Sequence, residues 1–260
     1  MATEPSTAVL DRPRRISLAP TLPREHGAWF VLTGSALIGP AATGALGPMH
    51  GIMLGAGWLA LVGQAALQTQ RVADRFWSVV LLGLALAAAA FVVSHASSPL
   101  LLGAAAATAL LGGAHLVVAR RDNRRSLGVE ALGVALLTSA APASLALSGA
   151  RADTSTLGLV AATSLYFVAT VPGVRARVFG VRDRAVWRRL RFDPLVFAAL
   201  GALVLGATVR PAAAAAFAIP VARGLWLAAR PPRALGSVSR LGWLEVIATG
   251  ALVAVVALAV

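Results

Sequence analysis

The chain has 260 residues, of which 58% are hydrophobic and only 13% charged, and its mean hydropathy is +0.79. A soluble domain is about half apolar and about a quarter charged, so too few polar residues exist here to coat a water-facing globule, and lipid must solvate much of the surface. The 23 basic residues are all arginine and outnumber 10 acidic ones, for a formal charge of +13; they lie in short stretches between apolar runs rather than on one face, which argues against nucleic-acid binding. The absence of cysteine excludes disulfides, thiolate metal sites and a cysteine nucleophile.

Residues 1–23 are polar, with scattered proline and arginine, and are expected to form a disordered cytoplasmic tail. The apolar run behind Arg24 is too long for the core of a cleaved signal peptide and lacks a clear cleavage site. Residues 24–260 are expected to be a single all-α transmembrane domain of about nine spans. A spanning helix needs roughly 20 residues, and apolar stretches fall near 27–46, 51–69, 76–95, 99–119, 127–148, 155–174, 194–209, 212–229 and 241–260. Only Arg210 and Pro211 separate the seventh from the eighth, which leaves a tight hairpin or a re-entrant pair open.

Arginine placement orients these spans. Cytoplasmic loops are enriched in arginine and lysine. Arginines crowd the tail and alternate loops, at 71 and 75, at 120–125, at 175–191 and at 230–240. The other loops hold only Arg151 and Arg210, and Arg223 falls inside a helix. The expectation is a multi-pass plasma-membrane protein with its N-terminus in the cytoplasm and its C-terminus outside. In the longest loop, Val181–Leu190 reads as a short interfacial helix with Trp187 at the headgroup level. Its plainer reading is a basic loop against anionic lipid, worth about 1 kcal/mol per arginine.

Few polar residues lie within the spans. Gln64 and Gln68 are four apart and share a helix face, as do Tyr166 and Thr170. His115, Glu130, Arg223 and Glu245 complete the set. Spacing from the loop arginines places Gln64, His115, Glu130, Arg223 and Glu245 roughly 7–11 Å inside the cytoplasmic edge. Ionisable groups at that depth face a protein interior or a wet cavity, so the layer predicts a cytoplasmic-leaflet cavity. Residue by residue the structural account competes: arginine and glutamate snorkel, glutamine joins helices, and Arg223 and Glu245 pair across neighbouring helices.

The first span opens with Pro23-Arg24-Glu25-His26-Gly27-Ala28-Trp29. Glutamate suits the positive end of a helix dipole and tryptophan suits the interface. Three contiguous ionisable types are left over, and Glu25 beside His26 is a candidate acid–base pair. Two residues do not make a metal site, so no metal is assigned. The fifth and ninth spans open alike, with Arg125 to Glu130 and Arg240 to Glu245, a short internal echo. No phosphate-binding loop, nucleophile elbow or zinc motif is present.

The stretch Pro23–Trp29 resembles the hallmark of the YwiC-like family of bacterial membrane proteins. The likeness extends to Arg124-Arg125-Ser126-Leu127 with Glu130, to Tyr166-Phe167-Val168 running into Val174-Arg175, and to Leu241-Gly242 with Glu245. This resemblance carries no biochemical activity with it. The chain is more distantly similar to the UbiA-type prenyltransferase superfamily, which implies a ring of nine helices around a central cavity on the cytoplasmic side. That superfamily also implies two aspartate-rich motifs that hold magnesium and a prenyl pyrophosphate, at the ends of the second and sixth helices. Here the matching regions, Gln64 to Asp74 and Tyr166 to Asp183, contain only Asp74 and Asp183, each expected in a loop. No catalytic residue and no cofactor is carried over, and whether the protein is an enzyme stays open.

Three functions fit. The first is a cavity that binds an anionic lipid or isoprenoid phosphate through Arg24, Arg175, Arg177 and Arg223, with Gln64, Gln68, His115, Glu130, Tyr166, Thr170 and Glu245 lining it. Glu25 and His26 then stand at its mouth. The second is a transporter or channel, favoured by Pro40, Pro142, Pro172 and Pro220 inside spans. The third is a membrane scaffold that docks partners on its long basic loop.

Overall fold

The computed structural model describes residues 26–67, 72–96, 98–121, 126–230 and 238–259. The tail, Arg24, Glu25 and Gln68 lie outside them, and of His26 only the backbone is described. The chain runs through α1 (His26–Thr43), α2 (Pro48–Leu67), α3 (Val72–His95), α4 (Pro99–Arg121), α5 (Leu127–Thr138) and α6 (Ala140–Leu147). It continues through α7 (Thr154–Val178), α8 (Arg184–Leu190), α9 (Asp193–Thr208), a 3-10 segment (Pro211–Phe217), α10 (Ala218–Ala229) and α11 (Val238–Ala259). There is no strand among the described residues.

Seven stretches are long and apolar enough to cross a bilayer, and residues 28–43 and 243–258 are shorter apolar helices. This makes the protein a helical, multi-pass membrane protein. Large apolar side chains such as Phe76, Leu84, Leu86, Leu102 and Leu110 stand exposed on α3 and α4, as helices solvated by lipid require.

Two ends can be told apart by contacts. At one, Ser148 Oγ donates to the Ala45 carbonyl and Arg210 donates to the Leu258 carbonyl. The Asp153 carboxylate accepts from Thr156 N–H at 2.8 Å to cap α7, and that bond holds its pKa below the ordinary carboxylate value. At the other end, here called basic, Glu130 meets Arg175 and Glu245 meets Arg223.

Packing closes a circuit of six helical segments. α1 packs on α5 and α6, these on α7, α7 on α9, α9 on the 3-10 segment and α10, and the 3-10 segment on α11, which returns to α1. α2 packs on α1 and α6, α3 on α2, and α4 on α5 and α6. The circuit's centre is solid. Ile38, Leu145, Leu159, Phe167, Leu205, Phe217 and Leu252 form one buried cluster, with Tyr166 edge-on to both Phe167 and Phe217.

Three local differences from the sequence expectation have backbone causes. The fifth span breaks at Ser139, because Pro142 lacks the N–H that would bond the Thr138 carbonyl. Thr138 and Ser139 also bond back to their own helix, at 2.8 and 2.6 Å, which bends it. α7 runs on to Val178 and so carries Arg175 and Arg177 as its last turn rather than in a loop, where cations favour the negative dipole end. Asp74 is not in a loop but in the first turn of α3, and is 2% exposed.

The seam between α1 and α6 follows from another proline. Pro40 lies inside α1 and cannot bond the Ala36 carbonyl four residues back. The fully buried Ser144 hydroxyl of α6 donates to that carbonyl instead. The helices touch closely enough that a Cβ on Gly39 would meet the Ser144 backbone. His50 of α2 locks the same seam: its Nδ1 accepts from Gly47 N–H at 3.2 Å. Its Nε2 then carries the proton, 2.9 Å from Ser148 Oγ and 3.2 Å from the Ser144 carbonyl.

Ser144→Ala is expected to cost about 1 kcal/mol, because it leaves the Ala36 carbonyl buried without a donor. In a Pro40→Ala background the restored N–H serves that carbonyl, so the same change costs much less. Equilibrium unfolding of the four proteins of this double-mutant cycle in mixed micelles measures the difference; equal costs in both backgrounds would refute the proline account.

Candidate functional site

Two clefts open at the basic end, on opposite sides of α7. Arg175 and Arg177 are two residues apart, about 200° around a helix, so one faces each cleft.

The inner cleft is small, about 50 Å³, and lies between α7, α10 and α11. Tyr166, Thr170, Arg177, Arg223 and Glu245 line it, with Pro194, Pro220 and Leu227 among its apolar walls. Arg223 makes a forked pair with Glu245: Nη1 donates to Oε2 at 3.2 Å, and Nη2 donates to Oε1 more closely still. The Arg177 guanidinium sits 5.8 Å from the centre of the Trp226 ring, and its Nε is buried with no hydrogen-bond partner among the described residues. The Tyr166 hydroxyl lies 3.5 Å from Thr249 Oγ1. Thr170 spends its proton on the Phe167 carbonyl, at 2.6 Å.

The outer cleft is larger, about 480 Å³, and lies where α7 turns into α8. Arg175, Arg182 and Arg189 face it together with Asp183, and Leu127, Phe179, Val186 and Leu190 form its apolar walls. Arg175 Nε is 3.5 Å from Glu130 Oε2, and its guanidinium lies 5.6 Å from the Phe179 ring centre. Asp183 caps α8 by accepting from Ala185 N–H at 2.8 Å, so part of its capacity is already used.

α8 is the predicted short helix, and it positions the outer cleft. Trp187 is buried within the protein. Its indole N–H donates to the Leu227 carbonyl at 3.0 Å. Leu227 is among the last four carbonyls of α10, which have no partner within their own helix. Trp187 therefore fastens α8 to α10, with Leu190, Leu227 and Ala176 packed around it, and Arg184, Arg188 and Arg189 are left exposed.

The structure thus gathers five sequence candidates, Tyr166, Thr170, Arg177, Arg223 and Glu245, at one cleft. It brings Arg175 and Glu130 together beside the other. Gln64 and His115 line neither. His115 on α4 stands over Gly133 of α5, where an added Cβ would meet its ring at 3.3 Å. By sequence Arg182 reads only as one of several arginines of the long basic loop, and Arg189 as part of a protein-docking surface rather than of a cleft. His50 was missed because it falls at the first turn of its helix, next to a loop.

Residues 22–145 match the model of the family described as YwiC-like protein. The match runs from the start of α1 into α6, so most residues of both clefts lie beyond it. No curated protein and no solved structure matches the chain.

Trp187→Phe keeps the ring and removes the donor. It should release α8 from α10, at a cost of about 1 kcal/mol. Trypsin cleavage at Arg188 and Arg189 should accelerate several-fold relative to the unchanged protein in the same detergent; an unchanged cleavage rate would mean that apolar packing alone holds α8.

Proposed function

We propose that this YwiC-like membrane protein crosses the bilayer nine times, N-terminus in the cytoplasm, and holds the anionic headgroup of a lipid or isoprenoid phosphate in its outer cleft. The nine spans are the seven long apolar stretches with α1 and α11 added, and the basic end lies on the cytoplasmic side by arginine placement.

The observation that carries the binding reading is three guanidiniums against the single carboxylate of Asp183 around one cleft of about 480 Å³ whose other walls are apolar. Guanidinium groups match phosphate oxygens in pairs of charge-assisted hydrogen bonds. Val186, Leu190 and Phe179 offer acyl or isoprenoid carbons a surface beside those charges. The inner cleft, at about 50 Å³, is too small for a lipid body. Glu25 and His26 remain acid–base candidates on the sequence alone.

Transport is the second reading. It is favoured by the proline-broken spans and by the 3-10 opening of the eighth. Against it, Phe167 and Phe217 are each only 1% exposed and fill the centre of the circuit.

Purification in mild detergent followed by native mass spectrometry tests the proposal. The protein should retain one anionic lipid or isoprenoid phosphate. The Arg182→Ala/Arg189→Ala double variant should lose it, since about 1 kcal/mol per arginine amounts to roughly thirtyfold in affinity. A ligand-free protein, or equal retention by the variant, would overturn the proposal. Flux of a radiolabelled anion through proteoliposomes, abolished in the same variant, would move the assignment to transport.

A further inference from the structure

We infer that the inner cleft is a separate binding site for one small anionic group, a carboxylate or a phosphate monoester, held between Arg177 and Arg223 with Glu245 as its competitor. The site does not rest on the outer-cleft reading, since the two share no lining residue.

Charge balance comes first. The charged side chains lining the inner cleft are Arg177, Arg223 and Glu245, two cations against one anion. Glu245 is committed to the fork of Arg223, so Arg177 is the cation left over. Its neighbour Trp226 offers only a ring face, and its buried Nε has no acceptor among the described residues. An uncompensated charge removed from water is costly, and proteins that span membranes pair such charges. One anion would neutralise the cleft.

Size and donors agree. A space of about 50 Å³ accepts a few water-sized centres, which suits a carboxylate or phosphate group and excludes anything larger lying wholly inside. Arg177 offers its Nε and fork, and the Tyr166 hydroxyl is held only by a long contact to Thr249, so it is free to donate. Thr170, whose proton is already used, can only border the site. Because Glu245 occupies the fork of Arg223, an incoming anion either binds on Arg177 alone or shares Arg223 with it. The carboxylate therefore sets the affinity from inside the site.

This competition yields an experiment in which a purely structural ion pair and a binding site behave oppositely. The full chain in detergent would be titrated calorimetrically with inorganic phosphate and with acetate, at constant ionic strength maintained by a bulky sulfonate. One anion should bind per chain. Arg177→Gln should weaken binding at least tenfold. Glu245→Gln should tighten it several-fold, because it frees the Arg223 fork, whereas a structural role predicts no gain. Arg182→Ala/Arg189→Ala should leave this binding unchanged, which separates failure here from failure at the outer cleft. Nanodiscs of phosphatidylcholine with and without phosphatidic acid identify the source. Displacement of phosphate by phosphatidic acid assigns a lipid headgroup, and its absence assigns a free anion. If Glu245→Gln does not fold, Tyr166→Phe serves in its place and should weaken binding about threefold. The inference is overturned if the unchanged protein binds neither anion, or if Glu245→Gln folds and binds no tighter.

Discussion

Helices in lipid must satisfy their backbone groups internally, and Pro40 prevents α1 from doing so at the Ala36 carbonyl. The Ser144 hydroxyl supplies the missing donor from a helix more than one hundred residues later in the chain. Gly39, one residue before the proline, lets the two backbones approach. A defect in one span thereby becomes a specific attachment to another, where apolar surfaces alone would slide against lipid with little preference. The rest of the circuit depends on this seam. With α1 fixed to α6, the core around Phe167 and Phe217 has a wall on every side, and α7 is held with its last turn between two clefts.

The charged residues follow a shared plan at that end. Glu130 and Glu245 each lie five residues after an arginine near the start of their spans. Each meets an arginine from another helix, Arg175 and Arg223 respectively. The short echo in sequence is thus an echo in structure. Arg177 breaks the pattern, with no ion pair among the described residues, and this asymmetry distinguishes the inner cleft from a pair of structural ion bridges.

Much of the architecture was legible because lipid leaves so few choices. Long apolar runs separated by arginine had to be helices, and the pairing of Arg223 with Glu245 followed from their equal depth. Arg175 and Arg177 misled, because arginine usually marks a loop. Here their long stems let the helix continue while the charged heads find partners or the interface. For Trp187 the sequence showed only a preference for the membrane boundary; its bond to a carbonyl at the end of α10 is visible only in the folded chain. The link from Pro40 to Ser144 was out of reach, since each residue reads locally as a helix irregularity and only the folded chain sets them side by side. The polar layer was partly legible. Four of its members, Tyr166, Thr170, Arg223 and Glu245, line one cleft, whereas Gln64 and His115 lie elsewhere because equal depth does not fix which way a helix face turns.

The candidate span from Pro211 to Ala229 contains only nineteen residues. As a plain α-helix it would reach about 28 Å at 1.5 Å per residue, slightly short of a hydrocarbon layer of about 30 Å. Its first seven residues are wound as a 3-10 helix instead, which rises about 2.0 Å per residue and lengthens the span by roughly 3.5 Å. Side chains three apart eclipse one another in that winding, and a run of five alanines is the composition that tolerates it. The tighter coil thus works as a spacer, letting a short segment match the thickness of its neighbours without added residues.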